Sequence, residues 1–298
     1  MRNWDYRGPY DLRAMQELTS HVWRPGARWH IGDLAWRRFQ HAGREPEWRT
    51  RLWSGADTMV AWAWIVSPGE LEMVVDPARV DVVADVLAWF GSFDAGGAAG
   101  RTVGLADIDT GAVAAVEAAG YRPGPPDAPY QANLRHDLDG GPDGEPTPPP
   151  GYRLDHTTEA NLTDRVATHR AAFDPSRVTV ESYRQVRACW PYRDDLDVTV
   201  VDRDGVVVAA CLAWYDDARQ AGQLEPVATR PEHERRGLAA AACTEALRRL
   251  RAAGATVATV AARGDAAYPA PLRLYRRIGF RPVGRDVSFV SPPSSPPS

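Results

Sequence analysis

The chain has 298 residues, of which 44% are hydrophobic and 25% charged, a composition typical of globular proteins and a length that suits two domains. The net charge of −4 comes without the clustered basic face that nucleic-acid binding requires, so we expect no nucleic-acid partner. All 35 basic residues are arginine, which excludes Schiff-base catalysis by lysine and the lysine-containing P-loop.

The first 138 residues are predicted to form an α/β domain. Its predicted helices are DLRAMQELTSHVW, GDLAWRRFQH, ARVDVVADVLAWF and GAVAAVEAAG, and its strands are EWRTRLW, TMVAWAWIV, ELEMVV, RTVGLADI and YQANLRHDL. β-Branched and aromatic residues dominate the strands, as expected for pleated, half-buried segments.

Residues 139–151 (DGGPDGEPTPPPG) are a Gly/Pro/acidic stretch that cannot build a core, and we expect them to link two domains. A second domain is predicted over 152–290. The low-complexity end at 291–298 (SPPSSPPS) is predicted to be a disordered tail.

The second block repeats the order of the first. GYRLDHT is a strand, two helices follow, and DVTVVDRDGVVVAACLAWY is a hairpin around Asp-Gly. The strand QLEPVAT, an Ala-rich helix closed by Gly254, the strand ATVATVAAR, the helix APLRLYRRIG and the strand FRPVGRDVSFV complete it. Because EAAGYRPG and RRIGFRPVG end the two blocks similarly, we interpret the chain as a duplicated domain.

The most specific segment is LEPVATRPEHERRGLAAAA, from Leu224 to Ala242. A strand runs through a proline-started turn into an Ala-rich helix, whose first amides lack internal partners and favour a phosphate. Gly237 and the small residues after it permit close approach of a phosphate chain. Pro226 cannot donate to a strand ladder and therefore indicates an edge or a bulge.

The turn R-R-G-x-A, the long helix, the next strand and the motif L-Y-x-x-x-G-F at 274–280 together resemble the GNAT N-acetyltransferase superfamily, of a tandem type with a degenerate first copy. The resemblance covers the second block and implies two tandem GNAT-like domains, each a mixed, splayed β-sheet flanked by helices. It also implies acetyl-CoA as co-substrate. The cofactor-binding residues implied are Val227, Ala228 and Thr229 for the pantetheine arm, and Arg235, Arg236, Gly237, Leu238, Ala239 and Ala240 for the pyrophosphate.

Two positions depart from the family pattern. Glu234 stands where Gln or Arg is usual, and Tyr268 stands where an Asn is usual. An acid beside a pyrophosphate is unfavourable unless its side chain turns away, and the contact made by the Asn is lost.

The catalytic roles also follow from the resemblance. Tyr275, in L-Y-x-x-x-G-F, is expected to protonate the departing CoA thiolate. Glu225 occupies a position where many family members carry a catalytic Glu, and it is expected to assist deprotonation of the amine. Asp265 and Arg263, after the next strand, are weaker candidates, with orientation of the acceptor as the alternative role. The Val227 amide is the natural oxyanion donor if a bulge is present.

The first block has lost these parts. Aligning Leu71-Glu72 with Leu224-Glu225 leaves no Arg-Gly turn, and Val116 stands at the tyrosine position. We therefore expect it not to bind acetyl-CoA. It holds nine of the eleven tryptophans, which we interpret as packing residues. The alternative is that some, such as Trp29 and Trp36, line an acceptor pocket between the halves.

We therefore expect an N-acetyltransferase that moves an acetyl group from acetyl-CoA to a primary amine of a small molecule by direct attack in a ternary complex. The alternatives are a non-catalytic acyl-CoA-binding sensor or scaffold, and a protein or peptide N-acetyltransferase. Three scattered cysteines and no apolar segment of membrane-spanning length predict no metal, no membrane partner and a cytoplasmic location. The oligomeric state is left open.

Overall fold

The structure is a computed structural model that describes residues 1–41, 43–44, 47–56, 58–94, 100–126, 128–140, 146–265 and 267–291. Within these ranges, no helix is both long and apolar enough to cross a membrane. The centre of the predicted linker, 141–145, and residues 292–298 of the predicted tail lie outside the described residues. Ser291 is described, and its amide donates to the Arg101 carbonyl over 2.8 Å.

The first half alternates helices and strands in the predicted order. Its elements are β1 (Arg2–Asp5), α1 (Pro9–Val22), α2 (Ile31–Phe39), β2 (Arg49–Ser54), β3 (Met59–Ser67), β4 (Glu70–Val75), a 3-10 turn (Pro77–Val82), α3 (Val83–Gly91), β5 (Thr102–Ala106), α4 (Thr110–Ala118), β6 (Arg122–Pro123) and β7 (Gln131–Asp137). The short edge strands β1 and β6 were not predicted, because neither is long enough to show an alternating pattern.

The second half has the same order of elements. They are β8 (Arg153–His156), α5 (Leu162–Ala172), α6 (Val180–Ala188), a 3-10 turn (Asp194–Leu196), β9 (Asp197–Val201), β10 (Val207–Asp216), β11 (Ala221–Thr229), a 3-10 turn (Pro231–His233), α7 (Leu238–Ala252), β12 (Val257–Arg263), α8 (Ala270–Arg277) and β13 (Arg281–Val290). The internal repeat predicted from the sequence is therefore present as two copies of one α/β unit.

The strands of both halves join in one continuous sheet. Among the described residues its order is β1-β2-β3-β4-β5-β13-β7-β12-β11-β10-β9-β8, with β6 beside β13. The last strand of each half thus lies at the edge of the other half: β7 pairs with β12, and β13 pairs with β5. The two exchanged strands are antiparallel to each other and form the centre of the sheet.

Each half is a mixed sheet that splays at its one parallel pair. β4 and β5 share three paired positions, ending at Glu72 opposite Gly104, and β11 and β12 share three, ending at Gln223 opposite Thr259. Beyond these positions the strands of each pair separate. The splayed, helix-flanked α/β sheet predicted for both halves is confirmed.

Helices cover both faces of the sheet because strand side chains alternate between them. In β3, Ala61 and Ala63 pack with α3, whereas Trp62 and Trp64 pack with α1 and α2. This alternation accounts for much of the tryptophan content of the first half as core packing.

Helix α2 ties the first half to the second. Ala35 and Trp36 pack in one buried cluster with Tyr183 and Trp214 of the second half. A Cβ atom added to Gly32 would lie 2.1 Å from Cγ of Trp214, so the start of α2 lies directly against β10. The candidate functional site lies where these two halves meet.

Candidate active site

Strand β11 carries the bulge that Pro226 predicts. Its pairing with β10 shifts by one residue between Cys211 opposite Val227 and Ala213 opposite Leu224, so the extra residue lies at Glu225–Pro226. On the other side, β11 pairs with β12 only as far as Gln223. The segment of Val227, Ala228 and Thr229 therefore runs beside an open cleft, where main-chain groups are available to a ligand that adds as a strand.

The predicted phosphate turn lies at the end of this cleft. Arg235 and Gly237 have left-handed backbones with φ of 59° and 83°, and α7 begins directly after Gly237. A Cβ atom built on Gly237 meets nothing within 4 Å, so the space above the turn is open. Within the described chain, no amide from residue 235 to residue 240 donates to another backbone group. These unpaired amides at a helix N-terminus suit a pyrophosphate.

The side chains around the turn leave the backbone accessible. Arg235, Arg236 and Glu234 are exposed, whereas Leu238 is buried in the core below. Arg236 donates to the Tyr152 hydroxyl over 2.9 Å. Glu234 stands where the family has Gln or Arg, and an acid there must turn away from a bound pyrophosphate. Because Glu234 is exposed, its side chain can point into solvent.

Tyr275 projects from α8 into the core of the second half. Its side chain is 6% exposed and packs edge-on against Phe280, with ring centroids 5.8 Å apart. Burial, together with the neighbouring Cys243 and Cys211, raises the pKa of Tyr275 well above its usual value, so the phenol keeps its proton. Its hydroxyl makes no hydrogen bond to any residue the structure describes and is free to donate to a ligand.

Glu225 lies half-buried in the bulge of β11. Burial, with a contribution from the Asp33 carboxylate, raises the pKa of Glu225 to about 7. Its backbone carbonyl accepts a hydrogen bond from Nε1 of Trp214 over 2.7 Å, which fixes the strand at this point. A carboxylate with this pKa is suited to accept a proton at neutral pH.

Asp33 of α2 is a site residue that the sequence analysis missed. Its carboxylate accepts hydrogen bonds from Nε2 of Gln223 and from the backbone amide of His30, both over 2.8 Å. Burial raises the pKa of Asp33, and the Arg37 guanidinium opposes that rise. The pattern His30-x-x-Asp33 does indicate a capped helix start. However, only the tertiary packing shows that this carboxylate approaches Glu225.

A cavity of about 300 Å³ opens between the halves beside Glu225. Its walls include Trp36 and Arg37 of α2, His169 and Phe173 of the second half, and Glu225 with Pro226. Of the two tryptophans considered for an acceptor pocket, Trp36 lines this cavity. Trp29 instead packs against Trp62 and Trp64.

The other candidate residues lie elsewhere. Arg263 and Asp265 form an ion pair with each other, and Tyr268 is 55% exposed. None of the three cysteines forms a disulfide with another described residue, and Cys211 and Cys243 are buried near Tyr275. Within the described residues no group of three or more His, Cys, Asp or Glu side chains could hold a metal ion.

The strand register corrects one sequence alignment of the two halves. Glu72 and Gln223 both occupy the last parallel pair, so Glu72 corresponds to Gln223 rather than to Glu225. Val74 therefore stands at the position of Glu225. The alignment by sequence letters failed because β11 extends further than β4 before its turn.

The first half also lacks a phosphate turn. The Asp76 carboxylate accepts a hydrogen bond from the Ala78 amide over 2.9 Å, where the helical segment begins. The 3-10 turn then runs into α3 with Val82 in a helical conformation, so no left-handed glycine opens the helix. Val116, at the tyrosine position, is fully buried. Asp76 thus caps the helical segment where the second half has its phosphate turn. Val74 stands at the position of Glu225, and Val116 stands at the position of Tyr275.

Comparison with known proteins agrees with this architecture. Residues 164–280 match the model of the acetyltransferase (GNAT) family. The tandem GNAT protein from the clavulanic acid biosynthesis pathway is 16% identical, with a TM-score of 0.64 and coverage of 100% of both chains. A GCN5-related N-acetyltransferase from Sphaerobacter thermophilus is 21% identical, with a TM-score of 0.59, and the match covers 97% of this chain and 95% of that one. A search of curated proteins finds no significant match.

The fold and the family match define the class as a tandem α/β protein of the acyltransferase type. Residues 164–280 match the GNAT acetyltransferase family model, and the whole chain has the tandem GNAT fold. At these sequence identities, the solved structures establish the fold alone.

Proposed function

We propose that this protein is an N-acetyltransferase that uses acetyl-CoA to acetylate a primary amine of a small molecule in its second half. One observation carries the proposal: a bulged, open strand places Glu225 beside a cleft that leads to a helix N-terminus with free amides. The cytoplasmic location expected from the sequence stays a prediction.

The residues of the turn fit the proposed co-substrate. The amides of residues 235–240 would hold the pyrophosphate, and the open space above Gly237 leaves room for it. The main chain of Val227, Ala228 and Thr229 would pair with the pantetheine arm. Acetyl-CoA, when bound, supplies an activated thioester carbonyl.

The chemistry assigned to this chain is proton transfer at two points. An amine is protonated in water, so Glu225 takes a proton from it, directly or through a water, before it attacks. As the new C–N bond forms and the C–S bond breaks, Tyr275 would give its phenolic proton to the departing sulfur. The proton that the attacking nitrogen then loses would restore the phenol. These opposite roles are supported by burial, which raises the pKa of Glu225 to about 7 and raises the pKa of Tyr275 well above its usual value, so that the phenol stays protonated.

Thermal unfolding with and without 1 mM acetyl-CoA tests the binding site. A ligand at a hundredfold excess over Kd stabilises the folded state by about 2.7 kcal/mol, so the unfolding midpoint should rise. Gly237→Asp should abolish the rise, because a carboxylate then faces the phosphates, while Asp tolerates a left-handed backbone.

Gly205→Asp is the matched control. Gly205 has φ of 84° and an equally open Cβ position, but it lies in the β9–β10 turn. The Gly205→Asp variant should lose about as much stability without ligand as Gly237→Asp does. Its unfolding midpoint should still rise with acetyl-CoA. If acetyl-CoA does not raise the unfolding midpoint of the parent protein, the proposal is refuted. If the midpoint rises but no tested amine or peptide causes acetyl-CoA to release its thiol, a non-catalytic acyl-CoA-binding protein is favoured.

A further inference from the structure

The cavity beside Glu225 is built by both halves of the chain. Trp36 and Arg37 come from α2, and His169 and Phe173 come from the end of α5 and the residue that follows it. Its volume of about 300 Å³ is at the small end of ligand pockets, which span roughly 300–1,000 Å³. An acceptor that fills it would therefore be a small molecule whose contacts come from both halves.

Arg37 differs from its neighbours on the same stretch of chain. Arg24 pairs with Asp109, Arg28 pairs with Glu72 and Asp286, and Arg38 donates to Thr50. Arg37 is exposed and has no ion pair or hydrogen bond to any residue that the structure describes. Its side-chain donors are available to a ligand.

The position of the Arg37 guanidinium is nevertheless defined. Its central carbon lies over the ring of Trp29, 4.8 Å from the centroid, and Arg37 is one of the residues that line the cavity. A guanidinium beside an aromatic ring keeps the N–H groups that point away from the ring available, and it can bind a carboxylate through two parallel hydrogen bonds.

The remaining walls combine aromatic side chains with other residues, namely Gln40, His41, Pro175, Ser176 and Pro226. Trp36 and His169 pack edge-on with centroids 5.2 Å apart, and Phe173 lies against His169 at 4.7 Å. Phe173 is 44% exposed and lines the cavity, so a bound apolar group would remove part of its surface from water. Burial lowers the pKa of His169 to about 3, so this wall carries no charge at neutral pH.

We infer that the acceptor is an amine that also carries a carboxylate on an apolar skeleton, as an amino acid does. Arg37 binds the carboxylate, the amine faces Glu225, and the apolar part lies against Trp36 and Phe173. The inference rests on the proposed function for the reaction at the amine. It also assigns the first half a direct role, because the carboxylate-binding arginine belongs to a domain without a catalytic site of its own.

Calorimetric titration of the protein saturated with CoA tests this without turnover. The probes are L-phenylalanine and L-leucine, each compared with its amide and with its decarboxylated amine. We expect the amino acids to bind at least tenfold more tightly than either counterpart, because both counterparts lack the carboxylate. In Arg37→Met the ratio should fall to about one, whereas Arg7→Met, a change of another exposed arginine outside this cavity, should preserve it.

Equal affinities within each set, binding by no probe, or a ratio that survives Arg37→Met would each overturn the inference. The thermal shift with acetyl-CoA and the release of thiol test the proposed function independently of this titration. If the protein does not bind CoA, the same titration of the unloaded protein still decides whether Arg37 selects a carboxylate.

Discussion

Glu225 should make the stability of this protein depend on pH in a direction opposite to that of most carboxylates. In the unfolded chain its pKa is the usual 4.5, and in the folded protein burial beside Asp33 raises it to about 7. Between these values the folded state holds a proton that the unfolded state releases, so the free energy of unfolding falls as pH rises. The difference between 4.5 and about 7 corresponds to about 3 kcal/mol at pH 8, at about 1.4 kcal/mol per pH unit.

Glu225→Gln removes the ionisation and keeps the shape of the side chain. Relative to the parent, the variant should gain up to about 3 kcal/mol at pH 8 and much less at pH 5, where the parent carboxyl is already protonated. Urea denaturation at the two pH values measures the gain as a shift in midpoint at constant slope. Glu117→Gln, at an exposed carboxylate on α4, controls for the change in net charge.

The reasoning fails if Glu225→Gln changes stability equally at both pH values or stabilises the protein more at pH 5. Either result would mean that the carboxyl is well solvated in the folded state. Its proposed role as a base near neutral pH would then lose its physical support.

Three further substitutions test other parts of the structure. Tyr275→Phe should lower kcat about a hundredfold or more, as for loss of a general acid, with the acetyl-CoA thermal shift retained; an unchanged kcat would argue against the assigned role. Asp197→Asn should cost about 3–5 kcal/mol in urea denaturation because it leaves the fully buried Arg165 without its ion-pair partner, and a loss below 1 kcal/mol would contradict this. Gly32→Ala should cost roughly 1–3 kcal/mol or more through its clash with the buried Trp214, and an unaltered midpoint would show that α2 can move.

The sequence predicted those features that depend on local chemistry. The alternating strands, the Ala-rich helix and the RRG turn each carry their own pattern, so their order and the splayed α/β class were correct. Pro226 predicted an edge or a bulge for a local reason too, since proline cannot donate to a strand ladder, and the structure has the bulge.

The exchange of β7 and β13 could not be predicted in this way. Both strands follow their own half in sequence, and nothing in YQANLRHDL or FRPVGRDVSFV specifies which sheet edge they join. Pairing partners depend on contacts between residues that are distant in sequence. For the same reason the sequence did not identify Asp33 as a site residue, because its carboxylate contacts Gln223, which is 190 positions away in the other half.

The loss of chemistry in the first half and the retention of its fold have one physical explanation. Its apolar cores and exchanged strand complete the sheet on which the site of the second half is built, since β7 is the neighbour of β12. Its helix α2 contributes the carboxylate that raises the pKa of Glu225 and the unpaired arginine of the cavity. Val74 and Val116 stand at the positions of Glu225 and Tyr275, for which we propose catalytic roles, and they leave these contributions undisturbed. A half that supports its neighbour through packing and electrostatics is constrained only at those contacts, so its own cleft can lose its chemistry while the duplicated fold persists.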